Sequence, residues 1–131
     1  MTEDERKHID PVLLAKIESA KDGVDLEALP VGTTLQVQTL NTLYEFIKRE
    51  DDKYNFSDGG KRGFPGAYVV IGGSTWGGSS LKRRWVGLDM HVEMSHPGYP
   101  DQLTKIFTTS PVQRITIIGP DGDWSYTLEN E

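Results

Sequence analysis

From Trp85 to Ser95 the chain alternates without a fault: Val86, Leu88, Met90, Val92 and Met94 take the even positions, and Gly87, Asp89, His91, Glu93 and Ser95 the odd ones. On a helix these apolar residues would scatter around the axis, whereas on a strand they all point to one face. The pattern predicts one half-buried strand over 85–95. A lone strand cannot satisfy its own backbone, so the rest of the chain has to supply a sheet around it.

Six further segments fit that demand. Thr33 to Thr39 alternates, with Leu35 and Val37 on one face and Gln36 and Gln38 on the other, and Leu43 to Lys48 is rich in strand formers. Asn41-Thr42 between them suits a tight hairpin turn. Ala67 to Ile71 is a short apolar run that predicts a strand buried on both faces. Thr104 to Thr109, Val112 to Ile118 and Trp124 to Leu128 complete a set of about seven strands, the last two joined by the turn sequence Gly119-Pro120-Asp121-Gly122. Only the N-terminal part departs from the period of two. Asp10-Pro11 reads as N-cap and first helical residue, Val12, Leu13, Ile17 and Ala20 follow at close to helical spacing, and Gly23 is placed to stop the helix. The reading is a helix over 11–21, with one more turn between Asp25 and Leu29 and a flexible or helical extension over 1–10. With 131 residues there is room for one core. The fold class is mainly β: a single domain over 11–131, in which an antiparallel barrel or sandwich over 31–128 is joined by one N-terminal helix.

Composition removes several function classes. The absence of cysteine excludes disulfides, thiolate metal sites and cysteine nucleophiles. Met1 to Asp10 is too charged for a signal peptide and no run approaches the length of a membrane span, so a cytoplasmic address without membrane contact is the expectation. Net charge is −6, all of it carried by residues 1–58, with 13 acids against 7 bases; residues 59–131 hold 7 of each. Within the neutral part, residues 59–88 contain Lys61, Arg62, Lys82, Arg83 and Arg84 and no acid. An acidic chain argues against a dedicated nucleic-acid binder but leaves room for a local basic patch.

Two long connections interrupt the strands, Arg49 to Gly66 and Gly72 to Ser80, and loops of this kind often carry sites. The second, GGSTWGGSS, has glycines spaced like those of a phosphate loop, but Gly78 stands where that motif has lysine, and a strand instead of a helix follows. Nucleotide binding of that type is not expected. What survives is a looser constellation in which Gly73, Ser74, Trp76 and Gly77 run into Lys82, Arg83, Arg84 and Trp85. Backbone donors, cations and aromatic rings there suit an anionic or protein partner, with single-stranded nucleic acid as the less favoured alternative. The ordinary reading of the same residues is a set of solvated loop charges.

A lesser constellation is Asp89, His91 and Glu93, which the alternation places on one face of one strand, about 7 Å apart in succession. Imidazole and carboxylates at that spacing can hold a metal ion or act as acid and base. One strand supplies at most three ligands, and a half-exposed strand needs polar residues there anyway, so no metal or other cofactor is expected. Serine chemistry has no motif: G-x-S-x-G is absent, and nothing in the spacing selects Ser79, Asp89 and a histidine as a triad. Phe64, Trp76 and Tyr99, if exposed together, would mark a subunit of a larger assembly.

Leu29-Pro30-Val31-Gly32-Thr33, then Thr39-Leu40-Asn41-Thr42-Leu43-Tyr44, and much later Thr109-Ser110-Pro111-Val112-Gln113-Arg114-Ile115 together resemble a group of small bacterial β-proteins. In these a T-x-N-[ST]-x-Y hairpin opens the sheet and a T-S-P-V segment begins a late strand. The resemblance implies a barrel-like fold and no activity. The expectation from the residues is therefore a small non-catalytic binding module acting through its Gly-rich, basic and aromatic surface. Its alternatives are a metal-dependent or acid/base enzyme using Asp89, His91 and Glu93, and a subunit of a larger assembly.

Overall fold

A computed structural model describes residues 8–57, 68–77, 80–96 and 105–129. Helix α1 spans Pro11–Ala20, and the N-cap reading holds: the Asp10 carboxylate accepts a hydrogen bond from the Val12 amide at 2.7 Å, with Pro11 at the first helical position. Leu13 and Ile17 bury the helix's one apolar stripe in the core. The stop differs from expectation. Lys21, at φ 55°, makes the left-handed turn, while Gly23 already begins strand β1 (Gly23–Asp25). A Cβ on Gly23 would lie 2.4 Å from the Trp85 ring, so the glycine is there to let that indole lie flat on the backbone. A single 3-10 turn, Leu26–Ala28, follows where one more turn was expected.

Beyond it the chain winds into a closed barrel. Strands β2 (Thr34–Thr39), β3 (Leu43–Lys48), β4 (Tyr54–Ser57), β5 (Tyr68–Thr75), β8 (His91–His96) and β9 (Lys105–Ile118) each pair antiparallel with the next, and β9 returns to pair with β2. Closure removes the free edges of these six strands over most of their length. The two longest strands also carry extra partners: β6 (Lys82–Arg83) lies beside β5, and β10 (Ser125–Glu129) beside β9. A separate ribbon, β1 with β7 (Trp85–Gly87), is extended at its ends by hydrogen bonds from Leu26 N–H to Arg84 O and from Leu88 N–H to Asp22 O, both 2.8 Å, and is tied to β5 by Arg84 N–H to Gly72 O at 3.0 Å.

Four expectations need correction. The alternating segment 85–95 is two strands, because Leu88-Asp89-Met90 turns the chain from the ribbon into the barrel with Asp89 at φ 66°. All five even residues are nonetheless buried, so the turn preserves the in-out parity that the sequence displays. The expected strands 104–109 and 112–118 are one strand over Lys105–Ile118, Thr104 lying outside the described residues: Pro111 pairs with His91 at the point where β9 exchanges β8 for β2, and its missing N–H marks that change of partner. The expected strand 67–71, described from Tyr68 on, continues through the glycines to Thr75, and its run 68–71 is buried on one face only, since Val70 is exposed. Within the expected loop 49–66, Tyr54 and Phe56 face inward from the four-residue strand β4. The expected mainly β barrel with one N-terminal helix is what forms, with ten strands among the described residues against about seven expected. One continuous core runs from Ile9 and α1 to Leu128, with Tyr44, Phe46, Tyr54 and Phe56 forming an aromatic cluster inside the barrel. Among the described residues no helix is long and apolar enough to cross a membrane.

Candidate functional site

The Gly-rich segment and the basic triplet form one hairpin. Strand β5 enters, Trp76 and Gly77 begin the tip, and β6 returns with Ser74 opposite Lys82 and Gly73 opposite Arg83. The first two of the expected ligand residues turn inward. Ser74 is fully buried, and its hydroxyl donates to the Trp85 carbonyl at 2.6 Å. Gly73, at φ 148°, brings β5 so near β6 that a Cβ would lie 2.1 Å from the Lys82 carbonyl oxygen. Both residues build the hairpin and neither faces solvent. Trp76, by contrast, is 70% exposed at its tip, beside Gly77, whose amide donates to Thr75 Oγ1 at 3.2 Å.

The cations are accessible and in company. Lys82 Nζ stands 3.7 Å from the centroid of the half-buried Trp85 ring, a cation–π contact that fixes the ammonium over the indole. Arg84 leaves β6 in a left-handed conformation at φ 53°. Its amide donates to Gly72 O at 3.0 Å, and its guanidinium pairs with Glu27 of the 3-10 turn. Arg83 is exposed and has no ion pair among the described residues. These side chains line a shallow depression together with Asp25 and Glu27. The acid-free stretch of sequence is therefore not an acid-free surface, because the β1–β7 pairing sets Asp25 beside Trp85. Lys61 and Arg62, the other basic pair, lie outside the described residues, as do Phe64, Ser79 and Tyr99.

On the far side of the Glu27–Arg84 pair lies a second, smaller cleft of about 70 Å³. Leu26, Val70 and Ile71 form its walls, Lys48 and Asp52 stand at its rim, and Tyr54 reaches it from the barrel interior. Lys48 Nζ donates to Leu26 O at 2.7 Å and to Leu29 O at 2.8 Å, tying β3 to the 3-10 turn. Burial pushes the Tyr54 hydroxyl up to about 12; Asp52 adds to the rise and Arg84 opposes it. Tyr54 is thus a neutral donor at any physiological pH. Nothing in the local sequence marks this cleft, since its lining comes from five separate segments.

Asp89, His91 and Glu93 do not share a strand face as expected. Asp89 sits in the turn before β8, exposed, while His91 and Glu93 lie half-buried on β8. His91 Nδ1 lies 2.7 Å from the Thr109 carbonyl, where its N–H donates and directs Nε2 toward Gly77. Among the described residues no three histidine or acidic side chains gather closely enough to hold a metal ion. His8, the other histidine with a described side chain, is engaged with Asp123 at 3.3 Å. In comparisons with protein-family models, with curated proteins and with solved structures the chain finds no match, so the site is read from its own residues.

Proposed function

We propose that this barrel is a non-catalytic binding module and that its β5–β6 hairpin receives a carboxylate-bearing segment of a protein partner. The observation that carries the reading is the state of Arg83: exposed, unpaired among the described residues, and next to an ammonium already fixed over Trp85. A guanidinium in that position offers paired donors to a carboxylate without first giving up a partner, the Trp85 indole supplies apolar contact in the same depression, and Trp76 stands exposed at the hairpin tip. A polyphosphate chain is the less favoured ligand. Asp25 and Glu27 interrupt the cations, so a continuous row of phosphates would meet acids between them, whereas a flexible peptide can set one carboxylate at Arg83 alone.

An amide-resolved titration with an aspartate-rich hexapeptide, inorganic phosphate and a short single-stranded oligonucleotide, at low and moderate salt, tests this. Shifts from the peptide are expected at Trp76 and over 82–85, fading as salt rises, with smaller ones from phosphate and none from the oligonucleotide. A peptide that moves nothing there removes the reading, and an oligonucleotide that moves these residues more strongly replaces it with a nucleic-acid site.

A further inference from the structure

Gly73 of β5 has a register partner on each side, Arg83 of β6 and Glu93 of β8. Residues opposite one another in a sheet point to the same face, so Arg83 and Glu93 rise from one side of β5 with their Cα atoms about 10 Å apart, two strand spacings. That side is the outer one, because Glu93 alternates with the buried Val92 and Met94. The glycine sets no side chain between the two charges, and the half-buried Leu81 gives the bare backbone an apolar edge, its Cδ2 lying 3.7 Å from where a Cβ of Gly72 would stand. Glu93 is itself half-buried, yet its carboxylate has no ion pair among the described residues, with Arg83 or with any other cation. Partial burial of an unpaired charge is costly, and a cation brought by a ligand relieves it. The acids on the other side of Arg83 are already engaged: Asp25 Oδ1 accepts from the Glu27 amide at 3.0 Å, and Glu27 pairs with Arg84.

A segment whose carboxylate sits on Arg83 can reach Glu93 only across β5. In an extended chain, residues i and i+2 share a face about 7 Å apart, while i+1 faces away. A lysine or arginine at i+2 from the acid covers the rest of the distance with its long stem, which also rests on the apolar edge at Leu81. We infer that Glu93 selects among acidic segments: the one the hairpin takes carries a basic residue two positions from its carboxylate, with the acid on Arg83 and the base on Glu93. This rests on the proposed hairpin surface and adds to it the residue that sets which segment is preferred.

Three end-blocked pentapeptides test it by amide-resolved titration of the full labelled chain and of Glu93→Gln: Gly-Asp-Gly-Lys-Gly, the rearranged Gly-Asp-Lys-Gly-Gly, and Gly-Asp-Gly-Gln-Gly. The first two have the same composition and net charge, but in the second the acid and the base fall on opposite faces of an extended chain. In the parent chain the first peptide is expected to bind about threefold or more tighter than either of the others, the worth of one partly exposed ion pair, and to move the Glu93 amide as well as those of 82–83. In Glu93→Gln the three should bind alike, with the glutamine peptide as tight as before and the rest of the spectrum unchanged, showing the barrel intact. The inference is overturned if the rearranged peptide binds as well as the first, or if the preference survives in Glu93→Gln. If all three move 82–83 equally in the parent chain, the hairpin reading stands and the selection by Glu93 falls. If none moves these residues, both fall.

Discussion

Ser74 and Thr33 are both buried hydroxyls, and they should respond to truncation in opposite directions. Ser74→Ala removes the donor to the Trp85 carbonyl in a site closed to water and should cost about 1–3 kcal/mol, seen as a lower denaturation midpoint at unchanged slope. Thr33 Oγ1 is buried without a hydrogen bond among the described residues, so Thr33→Val exchanges an unsatisfied hydroxyl for a methyl of the same shape and should raise stability by about 1 kcal/mol in the same measurement. Tyr54 makes a pH-dependent contribution. Its folded value of about 12 lies above the ordinary 10.0, so the folded state keeps a proton that the unfolded chain releases. The associated stability is fully present below pH 10 and is lost as pH rises toward 12. The cleft is open to solvent at its mouth, which limits the effect to about 1–2 kcal/mol. Alkaline denaturation of Tyr54→Phe should lack that component, and near-ultraviolet absorbance of the parent chain should show one tyrosine ionising late.

The elements that could be read in the sequence are those whose pattern is longer than their interruptions. α1 was legible from Asp10-Pro11 and its stripe, and β2 and β3 from six residues each around Asn41-Thr42. β4 hid because four residues, Tyr54 to Ser57, give only two inward positions in a polar stretch. The break between β7 and β8 hid for a different reason, since a turn that keeps the in-out parity leaves the alternation whole and only backbone angles such as that of Asp89 reveal it. The glycines of β5 looked like loop because glycine is a poor strand former; Gly73 is there for the close approach of β6, which no local pattern states. The hairpin's accessible cations and Trp76 were legible for the candidate site. Asp25, Glu27 and the Tyr54 cleft were not, because pairing between β1 and β7 brings them there from distant parts of the chain. Gly73→Ala tests the structural reading of the hairpin: the added Cβ meets the Lys82 backbone in a left-handed conformation and should cost about 3 kcal/mol or more, with shifts in both β5 and β6.

On the proposed reading, the whole molecule divides the tasks of stability and recognition between different surfaces. The closed barrel buries its strands around one core, and the residues of the proposed binding surface stand outside it on the hairpin and the β1–β7 ribbon. Changing those side chains should then leave the fold almost untouched. The Arg84–Glu27 pair is more than half exposed on both sides, and exposed pairs contribute little, so Arg83→Ala combined with Arg84→Ala should lower stability by less than about 1 kcal/mol. The same double variant should abolish the salt-sensitive response to the aspartate-rich peptide, because it removes the free guanidinium and one wall of the depression. If the double variant instead unfolds readily, Arg84 is a structural tie between the 3-10 turn and β5, and recognition has to be sought elsewhere on the barrel. The two single variants separate these outcomes. Arg83 pairs with β5 only through its backbone, so Arg83→Ala should lose peptide binding at full stability, while Arg84→Ala removes the exposed pair with Glu27 and should keep most of the peptide response.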